Sequence, residues 1–157
     1  MTAFQQGLTL NRIGILVREK SQSDSTGHDW WHIWRVWQMA RRLAKAEQAN
    51  LFVIGLAALL HDIADWKFHP ESEGPRLARE MMEAETVPQE VIAHVCSIIA
   101  TLSFKGSGVP TPMATTEGKV VQDADRLDAI GAIGIARVFI YGGIKIVSYT
   151  TLLFPHA

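Results

Sequence analysis

The sequence has a single cysteine, Cys96, among 157 residues. One thiol excludes an internal disulfide and a zinc site built from several thiolates. The sequence also has no large excess of positive or negative charge, because 15 Lys+Arg are balanced by 16 Asp+Glu and the formal net charge is −1. A protein that binds the backbone of a nucleic-acid polymer normally carries a net basic face. We therefore expect no nucleic-acid polymer among its partners.

Long hydrophobic runs are absent as well. The longest one, residues 51–60, contains ten residues, about half of what a membrane-spanning helix requires. The first twenty residues show no basic start followed by an apolar run and a small-residue cleavage site. These absences predict a cytoplasmic protein without membrane contact. A hydrophobic fraction of 48% against 20% charged residues excludes a disordered chain.

What the sequence does contain is helical periodicity. Apolar residues recur at intervals of three and four, which predicts helices over residues 4–18, 29–48, 51–65, 76–85, 91–102 and 115–137. Residues 51–65 are apolar on every side and belong in the core. Gly131 and Gly134 are expected to allow close helix contacts, and only residues 144–153 look strand-like. The length fits one domain, so we expect a single all-α domain of five to six or more helices.

Ionisable residues stand at three places in this helical pattern. His32 lies on the second predicted helix, His61 and Asp62 end the apolar third one, and Asp125 lies on the last long one. Imidazole nitrogens and carboxylate oxygens are suitable ligands for Mn²⁺, Co²⁺, Fe²⁺ or Zn²⁺. Ionisable groups directly after ten apolar residues are expensive to bury unless they are paired or bind a metal. Each residue taken alone is better explained as a core-edge histidine or a solvated carboxylate. For the group on three core helices, spacing leaves that interpretation and a metal site open.

Three segments resemble the HD-domain metal-dependent phosphohydrolases, whose pattern is H…HD…D. The segments are HDWWHIWRV with His32, LAALLHDIADWKF with His61 and Asp62, and VVQDADRLDAIGAIGIAR with Asp125. They occur in order, with SFKG between the second and the third, and the resemblance covers about residues 27–143. It implies an all-α HD-type helical bundle in which His32, His61, Asp62 and Asp125 bind one divalent metal ion.

The closest resemblance is to small bacterial HD nucleoside triphosphate pyrophosphohydrolases. It implies a nucleotide substrate, cleavage to a nucleoside monophosphate and pyrophosphate, and Mn²⁺ or Co²⁺ as the favoured ion, with Mg²⁺, Fe²⁺, Ni²⁺ and Zn²⁺ as alternatives. Three other interpretations stay open. They are a nucleotide 5′-monophosphatase with the same ion, a nucleotide-sensing module without turnover, and a plain helical scaffold whose polar groups satisfy one another.

Further residues receive roles in this interpretation. Asp65 lies one turn beyond His61 and Asp62, and related HD enzymes often have an acid there, so it is the candidate catalytic group that orients or deprotonates water. Candidate substrate-binding residues are Lys67, Lys105, Arg35 and His28. Arg35 and Arg126 are alternatively partners that orient the metal-binding carboxylates, and Trp34 and Trp37 are expected in the core.

The resemblance stops after residue 143. The sequence therefore predicts an HD-domain bundle over residues 1–143 and an atypical tail over residues 144–157, either because this is a shortened member or because the end is aberrant. The sequence leaves a homodimer open.

Overall fold

The fold is known from a computed structural model, which describes residues 1–22, 28–64, 72–103, 106 and 108–145, excluding the side chains of 141, 144 and 145. These residues form helices and connecting turns, with no strand among them, which confirms the predicted all-α single-domain class. The helices are α1 (Ala3–Ser21), α2 (Trp30–Glu47), α3 (Leu51–Leu60), α4 (Glu73–Ala84), α5 (Gln89–Leu102), α6 (Thr116–Asp128) and α7 (Gly131–Lys145).

Helix α3 is the centre of the bundle. Its sequence, LFVIGLAALL, has no polar side, and every residue after Leu51 is buried. The helix packs against α1, α2, α5 and α6, so an all-round apolar helix has apolar neighbours on all sides. Asn50 caps it by accepting hydrogen bonds from the backbone N–H groups of Phe52 and Val53. No helix in the described ranges is long and apolar enough to cross a membrane.

Helix α2 packs against both α3 and α6. Its buried stripe consists of Ile33, Val36, Ala40 and Ala44, as an amphipathic period predicts. Asp29 caps the helix and accepts a hydrogen bond from the backbone N–H of His32 at 3.0 Å. This cap places His32 in the first turn of α2, beside the end of α3.

The main differences from the sequence-based prediction lie at three boundaries. The third helix ends at Leu60 rather than at residue 65, and residues 61–64 form turns. The predicted helix over 115–137 is interrupted after Asp128, and a new helix begins at Gly131. Gly131 has a φ of +73°, a backbone conformation that favours glycine. The predicted strand-like segment is wrong at its first two positions, because α7 extends to Lys145; residues 146–157 lie outside the described ranges.

Gly134, unlike Gly131, permits a close approach. A Cβ added to Gly134 would lie 2.1 Å from the carbonyl oxygen of Ala129, whereas one added to Gly131 would have no neighbour within 4 Å among the described residues. The two glycines therefore serve different purposes at the α6–α7 connection. The prediction that Trp34 belongs to the core is wrong, because this residue is 40% exposed. Trp37 is half-buried and packs against the core.

Candidate metal centre

Four side chains from three helices converge at one place. His32 comes from the first turn of α2, His61 and Asp62 directly follow α3, and Asp125 lies near the end of α6. The Nε2 atoms of His32 and His61 are 3.2 Å apart. Asp62 Oδ2 lies 3.1 Å from Nε2 of His32 and 3.3 Å from Nε2 of His61, and the corresponding distances from Asp125 Oδ1 are 3.5 and 3.8 Å. The structure thus brings together the four ligands that the resemblance implies.

Both imidazoles point Nε2 toward the shared space because their Nδ1 atoms have other partners. His61 Nδ1 lies 2.8 Å from the carbonyl oxygen of Ala58. Since a carbonyl oxygen only accepts, Nδ1 of His61 donates. His32 Nδ1 lies 2.7 Å from Oδ2 of Asp128, which fixes its Nδ1 as a donor in the same way. In the neutral rings both Nε2 lone pairs then face each other, an arrangement that either a metal ion between them or a proton on one of them satisfies.

A divalent cation fits this donor set. Ligands of a single ion with bonds of about 2.1 Å are separated by roughly 3.0–3.5 Å, and the separations of the two Nε2 atoms from each other and from the carboxylate oxygens are 3.1–3.8 Å. His32 and His61 are buried, whereas Asp62 and Asp125 are partly exposed. The centre is therefore closed on the histidine side and reachable on the carboxylate side, as a site that binds a ligand requires.

The pKa values of His61 and Asp62 also indicate that the cluster favours a bound positive charge. Burial by itself lowers the pKa of His61, but the charge of Asp62, a hydrogen bond to it and the charge of Asp125 together raise that pKa to about 9. Burial by itself raises the pKa of Asp62, but His61, His28 and His32 hold it well below its usual range. Without a metal the cluster therefore retains a proton, which a bound cation would replace.

His28, a predicted substrate contact, lies against one of the ligand carboxylates. Its Nδ1 is 2.6 Å from Oδ2 of Asp62. His28, His32 and Asp62 form a second group whose potential ligand atoms all lie within 4.8 Å of one another. The structure thus places His28 at the edge of the metal centre.

Asp128 is a site residue to which the sequence by itself assigns no role. The structure shows it largely buried, with Arg35 donating from Nε to Oδ1 at 2.6 Å and from Nη2 to Oδ2 at 2.9 Å. Burial by itself raises the pKa of Asp128, but hydrogen bonds from His32 and Arg35 lower it well below its usual range. The spacing of three residues from Asp125 was the available signal, because it places both carboxylates on one side of a helix.

Arg35, another predicted substrate contact, therefore pairs with Asp128. It also lines a pocket of about 300 Å³ with Trp34, Gln38 and Arg42, on the flank of α2 that faces α6. Arg126 donates a hydrogen bond to Oγ1 of Thr111.

Arg137 is the second site residue without an assigned role in the sequence analysis. It lies on α7, and its side chain is 18% exposed. Its Nη1 is 3.1 Å from Nδ1 of His32 and 3.5 Å from Oδ2 of Asp128, and its Nη2 is 3.4 Å from Nδ1 of His28. No periodicity connects residue 137 with His28 or His32, so only the folded chain reveals this contact. Asp65, Lys67 and Lys105 lie outside the described residues.

Residues 30–130 match the family model of the HD domain. This range covers more than half of the chain and contains His32, His61, Asp62 and Asp125. The chain belongs to the HD domain family. The predicted resemblance is thereby confirmed at the level of the family. Among proteins of known sequence, this HD-domain chain is similar to YpgQ of Bacillus subtilis, with 41% identity over 125 residues that cover 78% of this chain and 60% of YpgQ.

Solved structures extend the similarity. A Lactobacillus plantarum protein superposes with a TM-score of 0.78 at 38% identity, over 92% of this chain and 66% of that protein. An HD-superfamily hydrolase from Bacillus thuringiensis gives 0.70 at 43% identity, over 89% and 68%. B. subtilis YpgQ in complex with ADP gives 0.68 at 38% identity, over 88% and 70%. This HD-domain chain thus spans about 60–70% of the length of these relatives.

Proposed function

We propose that this HD-domain protein is a divalent-metal-dependent phosphohydrolase that acts on nucleotides in the cytoplasm and converts nucleoside triphosphates to monophosphate and pyrophosphate. The observation that carries the proposal is the convergence of the His32 and His61 Nε2 atoms with the carboxylates of Asp62 and Asp125. Similarity to an HD-superfamily hydrolase supports hydrolysis, and the ADP bound to YpgQ supports a nucleotide ligand.

His32, His61, Asp62 and Asp125 would hold the ion, for which the resemblance to HD pyrophosphohydrolases favours Mn²⁺ or Co²⁺; a mixed nitrogen and oxygen donor set is suitable for either ion. When bound, such an ion lowers the pKa of a coordinated water and polarises a phosphoryl oxygen. The protein supplies the orientation of the ligands. Asp128 holds His32 through Nδ1–H, and the carbonyl of Ala58 holds His61 in the same manner, which keeps each Nε2 available as a ligand.

The remaining roles concern water and phosphate. Asp65 follows Asp62 by three residues, and we assign it the orientation or deprotonation of the attacking water. Lys67 and Lys105 are assigned to neutralise phosphate charge, as phosphoryl transfer requires cations against the negative oxygens. We also assign His28 to contact the substrate, because it lies beside Asp62 at the edge of the metal centre.

A nucleotide panel with product identification tests the proposal. The purified protein is assayed with ribo- and deoxyribonucleoside tri-, di- and monophosphates in the presence of Mn²⁺, Co²⁺, Mg²⁺ or Zn²⁺. Pyrophosphate and a monophosphate from triphosphates are the expected products. Inorganic phosphate from monophosphates would replace the proposal by a 5′-nucleotidase, and metal-dependent nucleotide binding without turnover would replace it by a sensing module. Absence of both binding and hydrolysis would leave a helical scaffold.

A further inference from the structure

The carboxylate of Asp128 has more cationic neighbours than it can neutralise. Its Oδ2 accepts from Nδ1 of His32 at 2.7 Å and from Nη2 of Arg35 at 2.9 Å, while its Oδ1 accepts from Nε of Arg35 at 2.6 Å. Arg137 reaches the already occupied Oδ2 only at 3.5 Å. One negative charge thus faces two guanidinium groups, and Arg35 has the bidentate pairing.

The other neighbours of Arg137 are poor acceptors. Its Nη2 faces Nδ1 of His28, which already lies 2.6 Å from Oδ2 of Asp62. Its Nη1 faces Nδ1 of His32, whose hydrogen is directed to Asp128. Arg137, whose side chain is largely buried, therefore has only one contact to a carboxylate among the described residues, a long one to the shared Oδ2 of Asp128. Burial of a cation normally requires good acceptors.

The carboxylates of Asp62 and Asp125 do not supply the negative charge that would neutralise Arg137. Asp62 and Asp125 together carry two negative charges, which a divalent ion at His32 and His61 would neutralise. With Arg35 paired to Asp128, one positive charge remains in this group of described residues. That charge lies on Arg137, whose Nη atoms contact His28 and His32 at the border of the metal centre.

We propose that Arg137 binds a phosphate group of the nucleotide beside the metal ligands, supplying the fork of donors that phosphate oxygens match. This inference rests on the proposed function, because it assigns the anion of that same site. Arg137 also connects α7, which packs on α6, with His28 and His32 at the metal centre. The position of α7 therefore decides whether the phosphate contact is available.

Binding measurements without turnover test this assignment. Mn²⁺ alone, and then ADP in the presence of Mn²⁺, are titrated calorimetrically into the wild-type protein, Arg137→Ala and Arg79→Ala. Arg79 is a matched control, because it is half-exposed and pairs with Glu83 on its own helix α4. We expect Arg137→Ala to weaken ADP binding by about tenfold to a hundredfold, the usual effect of losing a charge-assisted contact. Its affinity for Mn²⁺ should stay within about twofold, and Arg79→Ala should match the wild type.

Several outcomes would overturn the assignment. Unchanged ADP affinity in Arg137→Ala does so, as does a wild-type protein that does not bind ADP. A parallel loss of Mn²⁺ affinity would make Arg137 a positioning residue that acts through His32 and Asp128. If Arg137→Ala does not fold, Arg137→Gln replaces it under the same criteria, since it keeps polar reach without the charge.

The failure of this inference is distinguishable from failure of the proposed function. ADP binding that depends on Arg137 in a protein without nucleotide hydrolysis would support the phosphate contact and refute the hydrolase. Nucleotide hydrolysis in which Arg137→Ala and the wild type have the same KM and the same ADP affinity would support the hydrolase and refute the phosphate contact. If both hold, the KM for the nucleotide should rise more than kcat falls.

Discussion

Oδ2 of Asp128 lies 2.7 Å from Nδ1 of His32, the imidazole nitrogen opposite the one that faces the metal centre. The carboxylate therefore fixes which nitrogen of His32 carries the hydrogen, and hence which one is available as a ligand. Arg35 holds this carboxylate from its other side with two hydrogen bonds. A residue that is not itself among the four ligands thereby controls one of them.

The substitution Asp128→Asn is expected to weaken Mn²⁺ binding by about tenfold to a hundredfold, because partners that orient a ligand histidine contribute about this much to metal affinity. Calorimetric titration of the metal-free protein measures the change. The control is Asp123→Asn, an exposed residue on the same helix, which should bind Mn²⁺ like the wild type. Equal affinity in both variants would show that Asp128 has no influence on the ligand.

Asp62→Ala should abolish both metal retention and hydrolysis. The carboxylate lies within 3.3 Å of nitrogens from three histidines, so its removal takes away a ligand and the negative charge that balances the cluster. Metal content after dialysis, measured by mass spectrometry, reports retention. Asp123→Ala should keep its metal. An Asp62→Ala protein that retains stoichiometric Mn²⁺ would remove Asp62 from the ligand set.

Asp65→Ala should separate binding from turnover. If Asp65 orients or deprotonates water, its loss leaves the metal in place and lowers kcat by about 10²–10⁴-fold, as for other general acid–base groups. Metal content and nucleotide hydrolysis are measured on the same preparation, with Asp62→Ala as the variant that loses both. Full activity of Asp65→Ala would refute the catalytic role.

The metal-free protein should lose stability as the pH rises from neutral. The pKa of His61 is raised from 6.5 to about 9 in the folded state, so the folded protein binds the proton more tightly than the unfolded chain. This contribution to the free energy of unfolding is complete below pH 6.5 and disappears between pH 6.5 and about 9. Unfolding midpoints of the metal-free protein across this interval provide the measurement.

Three controls assign that slope to the metal centre. His94→Gln should leave it unchanged, because His94 bonds Thr115 away from the cluster, whereas His61→Gln should remove it. Saturating Mn²⁺ should remove it as well, since the ion displaces the proton and binds more tightly as the pH rises. The same decline in His61→Gln as in the wild type would place its origin elsewhere.

Gly134→Ala should destabilise the fold. The new methyl group would lie 2.1 Å from the carbonyl oxygen and 2.5 Å from the carbonyl carbon of Ala129. Because the neighbour is backbone, α7 has to move, and we expect a loss of about 1–3 kcal/mol in the free energy of unfolding, as for other overpacked sites. Urea titration measures it.

Gly143→Ala is the matched control on the same helix, because none of the described residues lies within 4 Å of its added methyl group. This variant should be as stable as the wild type or more stable by about 0.5–1 kcal/mol, the usual advantage of alanine over glycine in a helix. Equal stability of the two variants would contradict the close approach at Gly134.

Much of the architecture was predictable because it is local. The periodicity of residues 29–48 corresponds to α2, and the all-round apolar run from Leu51 corresponds to the central α3. The errors lie where the chain changes direction. Gly131 looks like a packing glycine in the sequence, yet its left-handed φ divides the predicted last helix in two, and propensity alone does not distinguish these uses.

The four candidate ligands could be named from the sequence because H…HD…D is a pattern of residue types in order along the chain. The pattern itself says nothing about distances, and the approach of His32 Nε2 to His61 Nε2 depends on how α2 and α3 pack. The substrate contacts were harder to predict from the sequence. Arg35 has the charge expected of a phosphate-binding residue, but the fold pairs it with Asp128.

Local residue order was thus sufficient to predict a helical fold and to name nitrogen and oxygen side chains as candidate metal ligands in a chain with one cysteine. Both predictions depend on side-chain chemistry and short-range periodicity. Tertiary structure decided which carboxylate orients His32 and which arginine remains without a good acceptor. Asp128 and Arg137 reach His32 across 96 and 105 residues. Such contacts arise only when separate helices pack, because a side chain's charge has no partner until the fold brings one within a few ångströms.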